Sequence, residues 1–196
     1  KCRAAGLTPD AVVIVATVKA LKYNGGVPKT ELGAENLEAL ERGLPNLLKH
    51  VENITKVFGL PAVVAINRFA NDTEAELNLI RTRCQELGVN VALSEVWGKG
   101  GEGGLELAEE VLRLCDQPQD FHYAYDLDLP LKDKIQAIVE KVYGGAGVHY
   151  TAAAAKELAR LEAMGFDKLP VCMAKTQYSL SDDATQLGRP EGFTIT

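Results

Sequence analysis

Pro61–Phe69 reads PAVVAINRF, and Val89–Trp97 reads VNVALSEVW with GKGGEGG directly after it at Gly98–Gly104. Each apolar run is too short and too rich in β-branched residues for a helix, so each reads as a buried strand. Each ends on polar residues and one aromatic, Phe69 and Trp97. In an open parallel sheet, ligands collect just beyond the carboxyl ends of the strands. Asn67, Arg68, Phe69, Ser94, Glu95 and Trp97 are therefore expected at one mouth.

Working outward, Ala11–Lys22 reads AVVIVATVKALK. Its near-continuous apolar first half predicts a central parallel strand, buried on both faces. Lys19 and Lys22, then Gly25 and Gly26, read as a basic glycine loop after that strand. Such a loop suits a phosphate or carboxylate, and equally a tight exposed turn. Gly33–Phe58 has leucines at spacings of three and four, the pattern of an amphipathic helix. Pro45 predicts a kink or a split near Gly43. A second helix is predicted from Thr73 to Leu87, with Asp72 or Thr73 as N-cap and Glu76 available for a capping box. A third, after the glycine run, points Leu105, Leu107, Ala108, Val111, Leu112 and Cys115 at a core. Three strand–helix units in a row predict an α/β fold, doubly wound around a mostly parallel sheet.

The texture changes near Pro118, where DQPQDFHYAYDLDLP (Asp116–Pro130) has no helical period. Residues 1–117 are expected as the α/β layer, 118–130 as a linker, and 131–196 as a small, incomplete α+β lobe. In that lobe helices are predicted at Leu131–Val142 and Ala152–Met164, and strands in LPVCMAKTQYS and the closing GFTIT. The chain opens without Met and closes in what reads as the start of a strand, so it is expected to be a fragment.

Net charge is −6 over 196 residues. That argues against a nucleic-acid surface, which needs clustered Lys and Arg. No apolar run approaches the ~18 residues that span a membrane. Cys2, Cys84, Cys115 and Cys172 are scattered, with no C-x-x-C and no His at ligand spacing. Three lie in apolar or helical surroundings and read as small buried hydrophobes, in a reducing cytoplasm. No metal cluster and no Ser-His-Asp or Cys-His set is apparent.

The mouth residues carry the chemistry. Asn67 with Asp72 five residues on resembles, at longer spacing, the N-K-x-D base-recognition loop of P-loop nucleotidases; helix capping by Asp72 is the competing reading. Phe69 and Trp97, the single tryptophan, are placed to clamp a flat heterocycle, each face worth roughly 1 kcal/mol beyond area burial. The competing reading makes them lids on the core. GKGGEGG is short enough to fold over a ligand but is not G-x-x-x-x-G-K-[ST], so the chain has no triphosphate cradle of its own.

The segments VATVKALKYNGG, INRFANDTEAEL, ALSEVWGKGGEGG, YDLDLPLKDKI and KLPVCMAKTQYSLSDD closely resemble successive segments of formate–tetrahydrofolate ligase of the bacterial monofunctional type. The resemblance covers essentially the whole chain and would make it a middle and C-terminal fragment. It implies a P-loop NTPase-like fold and synthesis of 10-formyltetrahydrofolate from formate, tetrahydrofolate and ATP through formyl phosphate. It implies that Phe69 and Trp97 stack on the folate with Leu93 nearby, and that Asn67, Arg68 and Ser94 lie near the nucleotide. It places the Gly-Lys-Thr loop that grips ATP with Mg2+ before this chain. It implies a homotetramer stimulated by a monovalent cation (K+ or NH4+). In the family the residue at the position of Lys19 is usually arginine, whose bidentate contacts a lysine does not make. A fragment with the folate wall and without the phosphate loop is expected to be inactive alone. The alternative from another class is a non-catalytic interaction or regulatory domain of a SIMIBI-type P-loop protein.

Overall fold

The computed structural model describes residues 2–196. The chain divides into two compact units, Lys1–His122 and Tyr123–Thr196.

The first unit opens with a short helix α1 (Cys2–Ala5) and then builds a parallel sheet from β1 (Val12–Ala16), β2 (Ala62–Asn67) and β3 (Asn90–Ser94), in the order β1-β2-β3. β2 is central and buried on both faces, as its run of Val, Ala and Ile dictates. Val64 and Ile66 face one side, against Leu21, Leu40, Leu44, Leu47, Val51, Leu77 and Ile80. Those side chains come from α2 (Val18–Asn24), α3 (Leu37–Glu52) and α4 (Glu74–Glu86). Val63 faces the other side with Ala92, where Leu114 of α6 (Leu105–Cys115) covers it. The expected α/β architecture with a parallel sheet and helices is present.

The expected placement of the first strand is corrected. β1 is an edge strand among the described residues, and Val15 is 68% exposed. An apolar run reports that a strand can be buried; its rank in the sheet depends on which strands pair with it. Of the kink or split expected near Gly43, the split is absent, because α3 runs unbroken through Pro45. A mid-helix proline costs about 3 kcal/mol. Burying Leu40, Leu44, Leu47 and Val51 offsets that several times over, at about 1.5–3 kcal/mol each. A π-helical turn, Asn53–Val57, ends this helix. The stripe of α6 is rotated from the expected one: Leu107, Val111 and Leu114 face the sheet, while Leu105, Leu112 and Cys115 are exposed.

The second unit holds α7 (Leu131–Ala137) with a π-helical continuation to Tyr143, then α8 (Ala152–Ala163). Two short strands, β4 (Gly147–Val148) and β5 (Thr194–Ile195), pair in parallel. Its core is Val139, Leu180, Phe193 and Ile195. The strand expected in LPVCMAKTQYS is absent. Side chains take its backbone groups in place of a neighbouring strand. Val171 N–H donates to the Tyr125 hydroxyl at 2.9 Å, and buried Lys134 donates to the carbonyls of Asp167 and Leu169.

Residues 120–125 of the segment expected as a linker make hydrogen bonds within each unit. Asp120 N–H donates to the Gly59 carbonyl and His122 N–H to that of Phe58 in the first unit. Lys141 and Val171 take Ala124 and Tyr125 in the second. Of the cysteines only Cys84 is buried, and burial pushes its thiol up to about 12; Cys2, Cys115 and Cys172 are exposed. No helix among the described residues is long and apolar enough to cross a membrane.

Candidate functional site

The site is built on the carboxyl ends of β1, β2 and β3. The parallel register pairs Ala16 with Ile66 and Asn67 with Ser94. Arg68 N–H continues the ladder to the Ser94 carbonyl at 3.1 Å. The two loops that follow β2 and β3 therefore leave the sheet side by side.

The β2 loop is held in a closed turn. Asp72 N–H donates to the Phe69 carbonyl at 3.0 Å, and Phe69 N–H donates to the Asp72 carboxylate at 2.8 Å. Asp72 is buried by this exchange, so its role is to hold Phe69. Capping falls to Thr73, whose hydroxyl accepts from Glu76 N–H while Glu76 accepts from Thr73 N–H. With Asp72 occupied in this way, the N-K-x-D comparison loses its aspartate.

The β3 loop is also folded back on itself. α5 (Val96–Lys99) runs into a 3-10 turn, Gly100–Gly104. Glu95 N–H donates to the Gly103 carbonyl at 3.0 Å, and a Cβ on Gly103 would lie 2.6 Å from the Glu95 carbonyl group. Only glycine permits that approach. The glycine run, expected to be able to fold over a ligand, is a closed turn, and Trp97 before it is exposed.

Both aromatics are open to solvent, Phe69 at 36% and Trp97 at 76%. They are not lids on the core. Leu93, by contrast, is half-buried and packs against the core under the sheet end.

Arg68 and Lys99, on the two loops, are already paired. Arg68 reaches Glu74 at 2.8 Å and Glu95 at 3.9 Å. Lys99 reaches Glu95 at 2.5 Å. The Lys99 hydrogen bond holds the Glu95 carboxyl below the ordinary carboxylate range, and the nearby charges of Lys99 and Arg68 add to this. The Glu95–Lys99 pair lies at the i, i+4 spacing that a helical reading of this stretch would have exposed.

The basic glycine loop is corrected. Lys19 and Lys22 lie on α2, with Thr17 as its N-cap. Lys22 is 1% exposed and donates to Glu76 at 2.8 Å and to the Ala34 carbonyl at 2.7 Å. It points into the core and is not available to a ligand. Gly25 serves helix packing: a Cβ there would lie 1.8 Å from the Ala39 carbonyl oxygen of α3. Gly26 has φ +91, the left-handed turn that ends α2. Of the four, only Lys19 reaches the mouth, with its Nζ 4.7 Å from the centroid of the Phe69 ring.

Among the described residues no group of three or more His, Cys, Asp and Glu side chains is arranged to hold a metal ion. What the strand ends do present is two exposed aromatic faces, Phe69 and Trp97, on turns closed by hydrogen bonds. That arrangement can stack a flat ring and orient it. A comparison with protein families gives this geometry its context: the family model for formate–tetrahydrofolate ligase matches residues 1–196, and the chain belongs to that family.

Proposed function

We propose that this chain forms the folate wall of an ATP-dependent ligase that joins formate to tetrahydrofolate. In this reading ATP phosphorylates formate to formyl phosphate and leaves as ADP. The folate amine then attacks the formyl carbon and phosphate departs, giving 10-formyltetrahydrofolate. Phe69 and Trp97 stack on the folate ring with Leu93 beneath them, and Asn67, Arg68 and Ser94 line the side nearer the nucleotide. The sheet is of the P-loop NTPase-like type, with the phosphate loop supplied from outside residues 1–196. The chain alone is then inactive, and the working protein is a cytoplasmic homotetramer.

The observation that carries the site assignment is that Trp97, 76% exposed, and Phe69, 36% exposed, sit on closed turns that follow two adjacent parallel strands. The match to the ligase family over residues 1–196 supports the reaction.

The test is tetrahydrofolate binding by the full-length protein, followed by calorimetry. Trp97→Ala is expected to weaken it about tenfold, and Phe69→Ala by a similar factor, as loss of one stacked face and its buried area implies. The KM for formate should move little in either variant. Unchanged folate affinity in both would remove the stacking role from this reading.

A further inference from the structure

Lys19 and Phe69 lie 50 residues apart in the sequence, yet each follows a register-paired residue by three positions. Ala16 of β1 pairs with Ile66 of β2. Three residues on, the two side chains meet, with the Lys19 ammonium 4.7 Å from the centroid of the Phe69 ring. Both ends of the contact are anchored independently. The Thr17 hydroxyl accepts from Ala20 N–H at 3.1 Å and sets the start of α2. The Asp72 exchange sets the turn that carries Phe69.

The geometry points to Lys19 as a positioning residue of the ring site, which makes Phe69 a platform with one usable face. This rests on the folate-stacking reading above and deepens it. A benzene ring has two faces, and the ammonium takes one of them. A flat ligand is left the other. The cation also draws π density toward itself, so the ligand-side face becomes less negative. Two electron-rich faces repel when stacked; a cation behind one of them lowers that repulsion. The platform is thereby matched to an electron-rich heterocycle such as a reduced, amino-substituted pterin, over its oxidised, electron-poorer form. Lysine suffices for this, because the role needs a point charge over a ring and no bidentate grip.

The experiment measures dissociation constants for tetrahydrofolate and for oxidised folate in the full-length protein. Lys19→Met keeps the length and apolar stem and removes the charge; it is expected to weaken tetrahydrofolate binding about two- to fivefold, the range of a half-exposed cation–π contact. Oxidised folate should lose less, so the preference for the reduced ring narrows. Lys19→Arg, which restores a cation over the ring, should return the wild-type constants. In a Phe69→Leu background Lys19→Met should have no further effect, since the contact it removes is already gone. Should Lys19→Met fail to fold, Lys19→Gln carries the same measurement.

Unchanged binding in Lys19→Met, or the same loss in the Phe69→Leu background, overturns the proposal. So does a raised KM for formate or ATP with folate binding intact, which would mark Lys19 as an anion ligand. Each of these outcomes leaves the stacking reading standing. If Phe69→Ala and Trp97→Ala both bind tetrahydrofolate normally, it is the stacking reading itself that has failed.

Discussion

Glu76→Ala is expected to destabilise the protein by about 3–5 kcal/mol, the cost of leaving one partner of a buried ion pair alone. Glu76 is fully buried, and so is its partner Lys22 at 2.8 Å. The same carboxylate accepts from Asn36 N–H at 3.1 Å and from Thr73 N–H at 3.2 Å. One side chain therefore ties together α2, the start of α3 and the start of α4. Removing it strands a buried ammonium and two backbone donors at once. Denaturant unfolding followed by circular dichroism reads the loss. The double variant Lys22→Met with Glu76→Leu should recover much of it, because no charge is then left buried. A Glu76→Ala protein as stable as wild type would show that water reaches this pair.

The same residue predicts a pH dependence. Burial alone would push the Glu76 carboxyl up; the hydrogen bonds from Lys22, Thr73 and Asn36 outweigh it and leave the group below its ordinary value of 4.5. A carboxyl whose folded value is depressed stabilises the fold above its unfolded value, and that contribution is lost as pH falls through the folded one. Stability is thus expected to fall as pH drops below 4.5, and this part of the slope should vanish in Glu76→Ala.

Gly43→Ala is the second large effect. Helix propensity alone says the change should stabilise α3, by up to about 1 kcal/mol. The tertiary contact reverses the sign. A Cβ at Gly43 would lie 1.8 Å from the Leu21 carbonyl oxygen and 2.8 Å from Gly25 N. Gly25 makes the reciprocal approach to the Ala39 carbonyl. Here α2 and α3 touch backbone to backbone, and neither can yield by rotating a side chain. The expected cost is about 3 kcal/mol, at the upper end for overpacking. Gly98→Ala in α5 meets nothing within 4 Å and is the control; it should be close to neutral in thermal unfolding. A neutral Gly43→Ala would mean that the two helices separate easily.

These two predictions mark where local reading stops. The Thr73–Glu76 capping box is visible in four consecutive residues, because a cap is a local device. That Glu76 also neutralises Lys22, 54 residues away, has no local signature. Read as sequence, Lys19–Gly26 is a basic glycine loop, suited equally to a phosphate or carboxylate and to a tight exposed turn. In the fold it is a helix whose second lysine is buried and whose first glycine is a packing surface. The strand in LPVCMAKTQYS fails for a related reason. Its apolar residues suit a strand, but the Tyr125 hydroxyl takes the Val171 N–H and Lys134 takes the Leu169 carbonyl, where a strand would use a neighbouring strand.

The sequence by itself determined the three strands of the first unit, its helices α3, α4 and α6, and the placement of Phe69 and Trp97 beyond two parallel strands. It did so because periodicity, β-branching and capping are set by neighbours in the chain. It also carried the family resemblance, in segments long enough to be specific. Only the tertiary structure decided that β1 lies at an edge, that Lys22 belongs to the core, and that Lys19 stands over Phe69. Those are contacts between residues tens of positions apart, and their free energy exists only once the strands have paired and the helices have closed on the sheet.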